Sequence, residues 1–186
     1  MSDIAICSSA LVLLGANPIT SFEEGTTESI TAQQLFESEV RAMMGAHPWR
    51  FCLTTAQLSR LTRAGERYAA VYTLPSDLIE ARAVHVNQTP IRFERYERTI
   101  ECDAGPSDRV MCEYIRRVPT VEWPATFRQV MVFHMAAQMA VPVAGNEALG
   151  GYYEQRTEKM MLRAKSMMAQ GTGTRRMRGQ RLTRFR

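Results

Sequence analysis

Apolar residues recur at spacings of three and four toward both ends of the chain and in short, turn-punctuated runs in the middle, which predicts helices flanking strands. Ile4, Cys7, Leu11 and Leu14 mark the first helix, which Ser2 and Asp3 can cap and which Gly15 and Pro18 end. Residues 16–25 hold Asn17-Pro18 and Glu23-Glu24-Gly25 and read as an exposed connection. Thr26 or Thr27 caps a second helix, with Glu28 near its positive end and Ala32, Leu35, Phe36, Val40 and Met43 on one face up to Gly45. Pro48 then biases His47 out of the helical region, and Trp49 and Phe51 offer large apolar surface. His47, Pro48, Trp49 and Phe51 are therefore read as an aromatic anchor at the helix end.

From Leu53 to about Ile115 the period changes. Tyr68 with Val71 and Tyr72, Val84 with Val86, Ile91 with Phe93, and Val110 to Ile115 read as short strands. Leu74-Pro75-Ser76-Asp77, Asn87-Gln88-Thr89-Pro90 and Asp103-Ala104-Gly105-Pro106 separate them as turns. Helical spacing returns after Trp123-Pro124 with Val130, Phe133, Ala136, Ala137 and Ala140, closed by Pro142 and Gly145. A final helix runs from about Asn146 to Ala169, with Leu149, Tyr153, Met160, Ala164 and Met167 on one side. The expected fold is α+β, mainly α: a four-helix bundle from residues 1–52 and 123–170, a small β-rich insertion lobe over 53–122, and an extended arginine-rich C-terminal arm over 171–186.

Composition leaves that picture in place. A chain of 186 residues with 45% hydrophobic and 23% charged positions suits one core, with room for a lobe. No apolar run approaches the roughly 20 residues of a membrane span, and Asp3 sits where a secretory leader would carry a basic residue, so a cytoplasmic site of synthesis and no membrane association are expected. Charge changes the picture more. Of the net +4, residues 171–186 supply +6, from Arg175, Arg176, Arg178, Arg181, Arg184 and Arg186 with no acid, which leaves −2 for residues 1–170.

Candidate chemistry is sparse. Cys7, Cys52, Cys102 and Cys112 form no CxxC pair and read as buried free thiols, and a hairpin at 103–106 could let Cys102 and Cys112 face each other. His47, His85 and His134 never pair at a spacing of three or four, and His134 reads as a core-edge residue. No nucleophile elbow, phosphate loop or dinucleotide fingerprint is present, so neither a cofactor nor an enzymatic activity is expected. Met160, Met161, Met167 and Met168 on the last helix read as core filler before partner surface. The arm supports two readings. Its arginines suit nucleic acid phosphates, as in a DNA-binding accessory protein. Leu182 and Phe185, three apart among them, suit a short docking segment with two apolar anchors for a protein groove, and this is the preferred one.

Four segments in order carry a family resemblance: Ala10-Leu11-Val12-Leu13-Leu14-Gly15-Ala16-Asn17-Pro18-Ile19, Ser21-Phe22-Glu23-Glu24-Gly25-Thr26, Ala46-His47-Pro48-Trp49-Arg50-Phe51, and Tyr68-Ala69-Ala70-Val71-Tyr72-Thr73-Leu74-Pro75-Ser76-Asp77. Together they cover roughly residues 1–80 and resemble the tail tubular protein A family of short-tailed bacteriophages. The resemblance implies a structural head-to-tail adaptor of the virion neck, assembled in the host cytoplasm. It implies a homo-oligomeric ring of about twelve copies between the portal protein and the tail tube or nozzle protein, around the DNA channel. It also implies that the C-terminal arm docks on the portal, with contact to packaged DNA as a further possibility.

Overall fold

Capping side chains start three of the four helices among residues 1–170, where polar residues precede apolar runs. In the computed structural model, which describes residues 1–170, Ser2 Oγ accepts the Ala5 amide and opens α1 (Asp3–Leu13). Thr26, the first of the two candidate threonines, accepts the Ser29 amide and opens α2 (Thr27–Gly45). Asn146 accepts the Leu149 amide ahead of α4 (Glu147–Gln170). Pro124 supplies the fixed φ before α3 (Ala125–Ala144). α3 passes through Pro142 and ends instead at Gly145, whose φ of 59° permits the left-handed cap; the Asn146 amide then reaches back to the Ala140 carbonyl.

Between α2 and α3 lie eight strands: β1 (Leu53–Gln57), β2 (Ser59–Arg60), β3 (Ala70–Thr73), β4 (Leu78–Val86), β5 (Thr89–Ile91), β6 (Phe93–Tyr96), β7 (Thr99–Cys102) and β8 (Val110–Arg116). The expected four-helix bundle with a small insertion is thereby corrected. The described chain is 45% helical and 23% strand, a mixed α/β fold with two four-stranded antiparallel sheets. Their orders are β1-β8-β4-β5 and β2-β3-β7-β6. Only Leu58 separates β1 from β2 and only Arg92 separates β5 from β6, so the same two segments form the edges of both sheets. Because both edge segments run on from one sheet into the other and both sheets line one apolar cluster, the eight strands form a flattened antiparallel barrel.

The pattern obscured this because a strand that bends from one sheet into the other keeps no single alternation. Ile91 and Phe93, which look like one strand, lie on β5 and β6 in different sheets. The same geometry corrects the cysteine hairpin. Cys102 ends β7 in one sheet, Cys112 lies in β8 of the other, and residues 103–109 carry the chain between sheets. At the β4–β5 turn, Asn87 and Gln88 take φ of 50° and 73°, the paired left-handed conformation of a tight hairpin.

Two apolar clusters result. Leu58, Tyr72, Val84, Ile100, Cys102 and Cys112 are among those that fill the barrel. The larger cluster lies among the helices, with α3 touching α1, α2 and α4. Met131, Met135 and Met139 of α3 are fully buried; Met160, Met161 and Met168 of α4 pack against this core, and Met167 is exposed.

Candidate interaction surface

His47, Pro48, Trp49 and Phe51 sit where helices and barrel join. Trp49 is fully buried, and its indole N–H donates to the Met43 carbonyl at 2.8 Å. This bond satisfies the polar edge of a large apolar side chain and fixes the chain leaving α2. Phe127 at the start of α3 meets Trp49 edge-on at 5.1 Å, Phe51 at 4.9 Å and Trp123 at 5.1 Å. Phe36 and Phe22 continue the row toward α1. His47 rests edge-on against Trp49, and burial, with Lys165 and Arg82 nearby, pushes its imidazole below the ordinary range. The anchor is thus a structural seam, and the sequence pattern did not indicate that Phe127 lies at its centre.

Arg117 reinforces the seam from the barrel side. It lies just past β8, over the Trp123 ring at 5.7 Å, and donates to both carboxylate oxygens of Glu37 on α2 and to the Val118 carbonyl. Burial works against the Glu37 charge, yet Arg117 and Arg41 hold its carboxyl below the usual range. Nothing local in the sequence indicates this pair, which spans 80 positions. His134 meets Glu39 at 2.7 Å between α3 and α2.

At the barrel's other end Glu101 of β7 accepts the backbone amides of Glu66, Arg67 and Tyr68 at 2.9, 2.8 and 3.3 Å. These bonds hold its carboxyl below the usual range and pin the loop between β2 and β3. Gly65 is required there, because a Cβ would stand 2.2 Å from the Tyr68 carbonyl oxygen. The four cysteines are free and buried. Burial pushes the thiols of Cys7 and Cys52 up to about 12 and those of Cys102 and Cys112 up to about 11, so all are protonated at neutral pH.

Two open grooves flank α1. One, of about 590 Å³, lies between the start of α1, Phe22, Glu37 and residues 117–121. The other, of about 440 Å³, runs between α1 and α3 along Leu13, Val132 and Phe133. Among the described residues no group of three or more His, Cys, Asp or Glu is placed to hold a metal ion, and no helix is long and apolar enough to cross a membrane. Arg175, Arg176, Arg178, Arg181, Leu182, Arg184, Phe185 and Arg186 lie outside the described residues. The chain matches no protein-family model and no curated protein sequence.

Proposed function

We propose that the chain is a structural head-to-tail adaptor of a tailed bacteriophage, a non-enzymatic ring component that sits between portal and tail tube or nozzle and docks on the portal through residues 171–186. The observation that carries the reading is the ordered set of four motif segments within residues 10–77. Their positions in the fold support it, because each segment lies at a joint. Leu14 to Ile19 end α1 through Gly15 at φ 74°. Phe22 and Trp49 belong to the aromatic row. Asp77 sits on the crossing between the two sheets, accepting the Tyr114 hydroxyl through its side chain and the Arg117 amide through its carbonyl. The conspicuous carboxylates are also structurally engaged, Glu37 with Arg117, Glu39 with His134 and Glu101 with three amides.

The test is native mass spectrometry and pull-down with the neighbouring portal protein, comparing the full chain with a form ending at Gln170, which retains every described element. Portal-dependent assembly by the full chain that is lost on truncation supports the adaptor reading with arm docking. Equal binding by both forms moves the portal contact to the folded body. Binding by neither, with salt-sensitive DNA binding by the full chain alone, favours the DNA-binding accessory protein.

A further inference from the structure

Charge is segregated along this chain. Residues 1–45 carry six acids, Asp3, Glu23, Glu24, Glu28, Glu37 and Glu39, against the single Arg41, a net −5, whereas residues 171–186 carry +6. The acidic segment builds much of the 590 Å³ groove. Its apolar lining comes from Ile4, Phe22, Pro119 and Val121, and Val121 is 69% exposed to solvent there. Arg117 also lines the groove but is matched there by Glu37, which leaves Asp3 on the rim, and Glu23 and Glu24 exposed on the loop that carries Phe22, as the excess charge. An open apolar trough beside carboxylates calls for an occupant that alternates apolar and cationic side chains. The sequence Arg181-Leu182-Thr183-Arg184-Phe185-Arg186 has that alternation.

We infer that the C-terminal segment of the chain docks in its own groove, Leu182 and Phe185 over the Phe22 and Val121 surface and the arginines against Asp3, Glu23 and Glu24. A partner that takes the arm must first displace it. The inference goes beyond the adaptor reading and stands or falls without it.

Connectivity makes the docking feasible. α1 and α3 run side by side, from Met1 and Ala125 at one end to Leu13 and Phe133 at the other; α4, turning back after Gly145, meets Phe133 and the Leu13 carbonyl through Tyr153, so its later turns run toward the end where α1 begins. Lys165 of α4 is close enough to His47 to act on its charge, and Trp49, on which His47 rests, is joined through Phe127, Trp123 and Phe36 to Phe22 of the groove lining. Sixteen residues follow Gln170, enough to span about 50 Å when extended. A tethered segment of this length reaches its own groove at an effective concentration in the millimolar range, above that of any free copy in dilute solution.

The experiment uses the full chain with the photoreactive residue p-benzoylphenylalanine in place of Phe185, mixed equally with ¹⁵N-labelled protein and irradiated. The expected products join the probe peptide to peptides holding Ile4, Phe22 or Val121, with the same isotope on both sides. Their yield should fall about five-fold in Val121→Arg, in Glu23→Lys, and in roughly 0.5 M salt, where a Debye length of a few ångströms screens the arginines. Val121 and Glu23 are both exposed, so neither change threatens the fold. Cross-links to another surface, none at all, or mixed isotopes would each overturn the inference.

Discussion

Arg117 grips Glu37 with Nε and Nη2 at 2.9 to 3.3 Å, tying the chain just past β8 to the middle of α2. The arginine side chain is 16% exposed and the glutamate 52%, so water screens one half of the pair. A double-mutant cycle of Arg117→Met and Glu37→Gln, read by urea unfolding, should give a coupling of about 0.5–1 kcal/mol. The Glu37 carboxyl lies below its ordinary value, so this contribution is fully present above pH 4.5 and fades as pH falls through the lowered value. A coupling indistinguishable from zero would leave Arg117 held by Trp123 and the Val118 carbonyl alone.

Phe127 offers a larger effect through packing. It is fully buried and touches both tryptophans of the protein, each at 5.1 Å. Phe127→Ala removes a ring that three neighbours cannot collapse onto, and should cost about 3–5 kcal/mol. Phe127→Leu should cost much less. The native tryptophan emission should move to longer wavelength in the alanine variant, since both indoles lose the same neighbour. A loss below about 1 kcal/mol would mean that the seam repacks freely.

The Glu101 clamp predicts a local effect. Glu101→Gln keeps the shape of the side chain but removes the charge that three amides face. Hydrogen exchange at Glu66, Arg67 and Tyr68 should accelerate at least about ten-fold, and trypsin should cut sooner at Arg63 and Arg67, while α1 to α4 exchange as before. Acid should act in the same direction, because a carboxyl with a lowered value keeps its bonds until pH falls below the ordinary 4.5. Unchanged exchange in the variant would show that the loop is held by its strands.

The sequence made the helices legible and the barrel illegible for one reason. Helix starts and stops are local. Ser2, Thr26, Asn146 and Gly145 act within a few residues of themselves, and each stands where its type predicts. The barrel depends on which strand meets which, and β1 pairs with β8 across more than 50 residues. Leu53-Thr54-Thr55-Ala56-Gln57 alone holds little apolar signal, and β7, Thr99-Ile100-Glu101-Cys102, hides a buried glutamate in its middle. The seam was half visible. Trp49 and Phe51 stood out beside Pro48, but Phe127 looks like any apolar residue of α3, and the Arg117–Glu37 pair has no local mark.

The thiols give the sharpest dependence on pH. Each is fully shielded, with values of about 11 or 12 against an ordinary 9.0. Between pH 9 and pH 11 the unfolded chain has released protons that the native chain still binds, so stability falls as pH rises. The loss approaches 1.4 kcal/mol per pH unit for each thiol. Melting temperature should therefore be level from pH 7 to 8.5 and then drop steeply, and Cys102→Ala should make the drop shallower. At pH 8 a thiol reagent such as dithionitrobenzoate should leave the native protein unlabelled and report four thiols after denaturation. Fast labelling of any cysteine in the native protein would place that thiol outside the core. An unaltered alkaline slope in Cys102→Ala would instead assign the drop to other groups, Tyr114 first among them, since burial and its bond to Asp77 push its hydroxyl up to about 12.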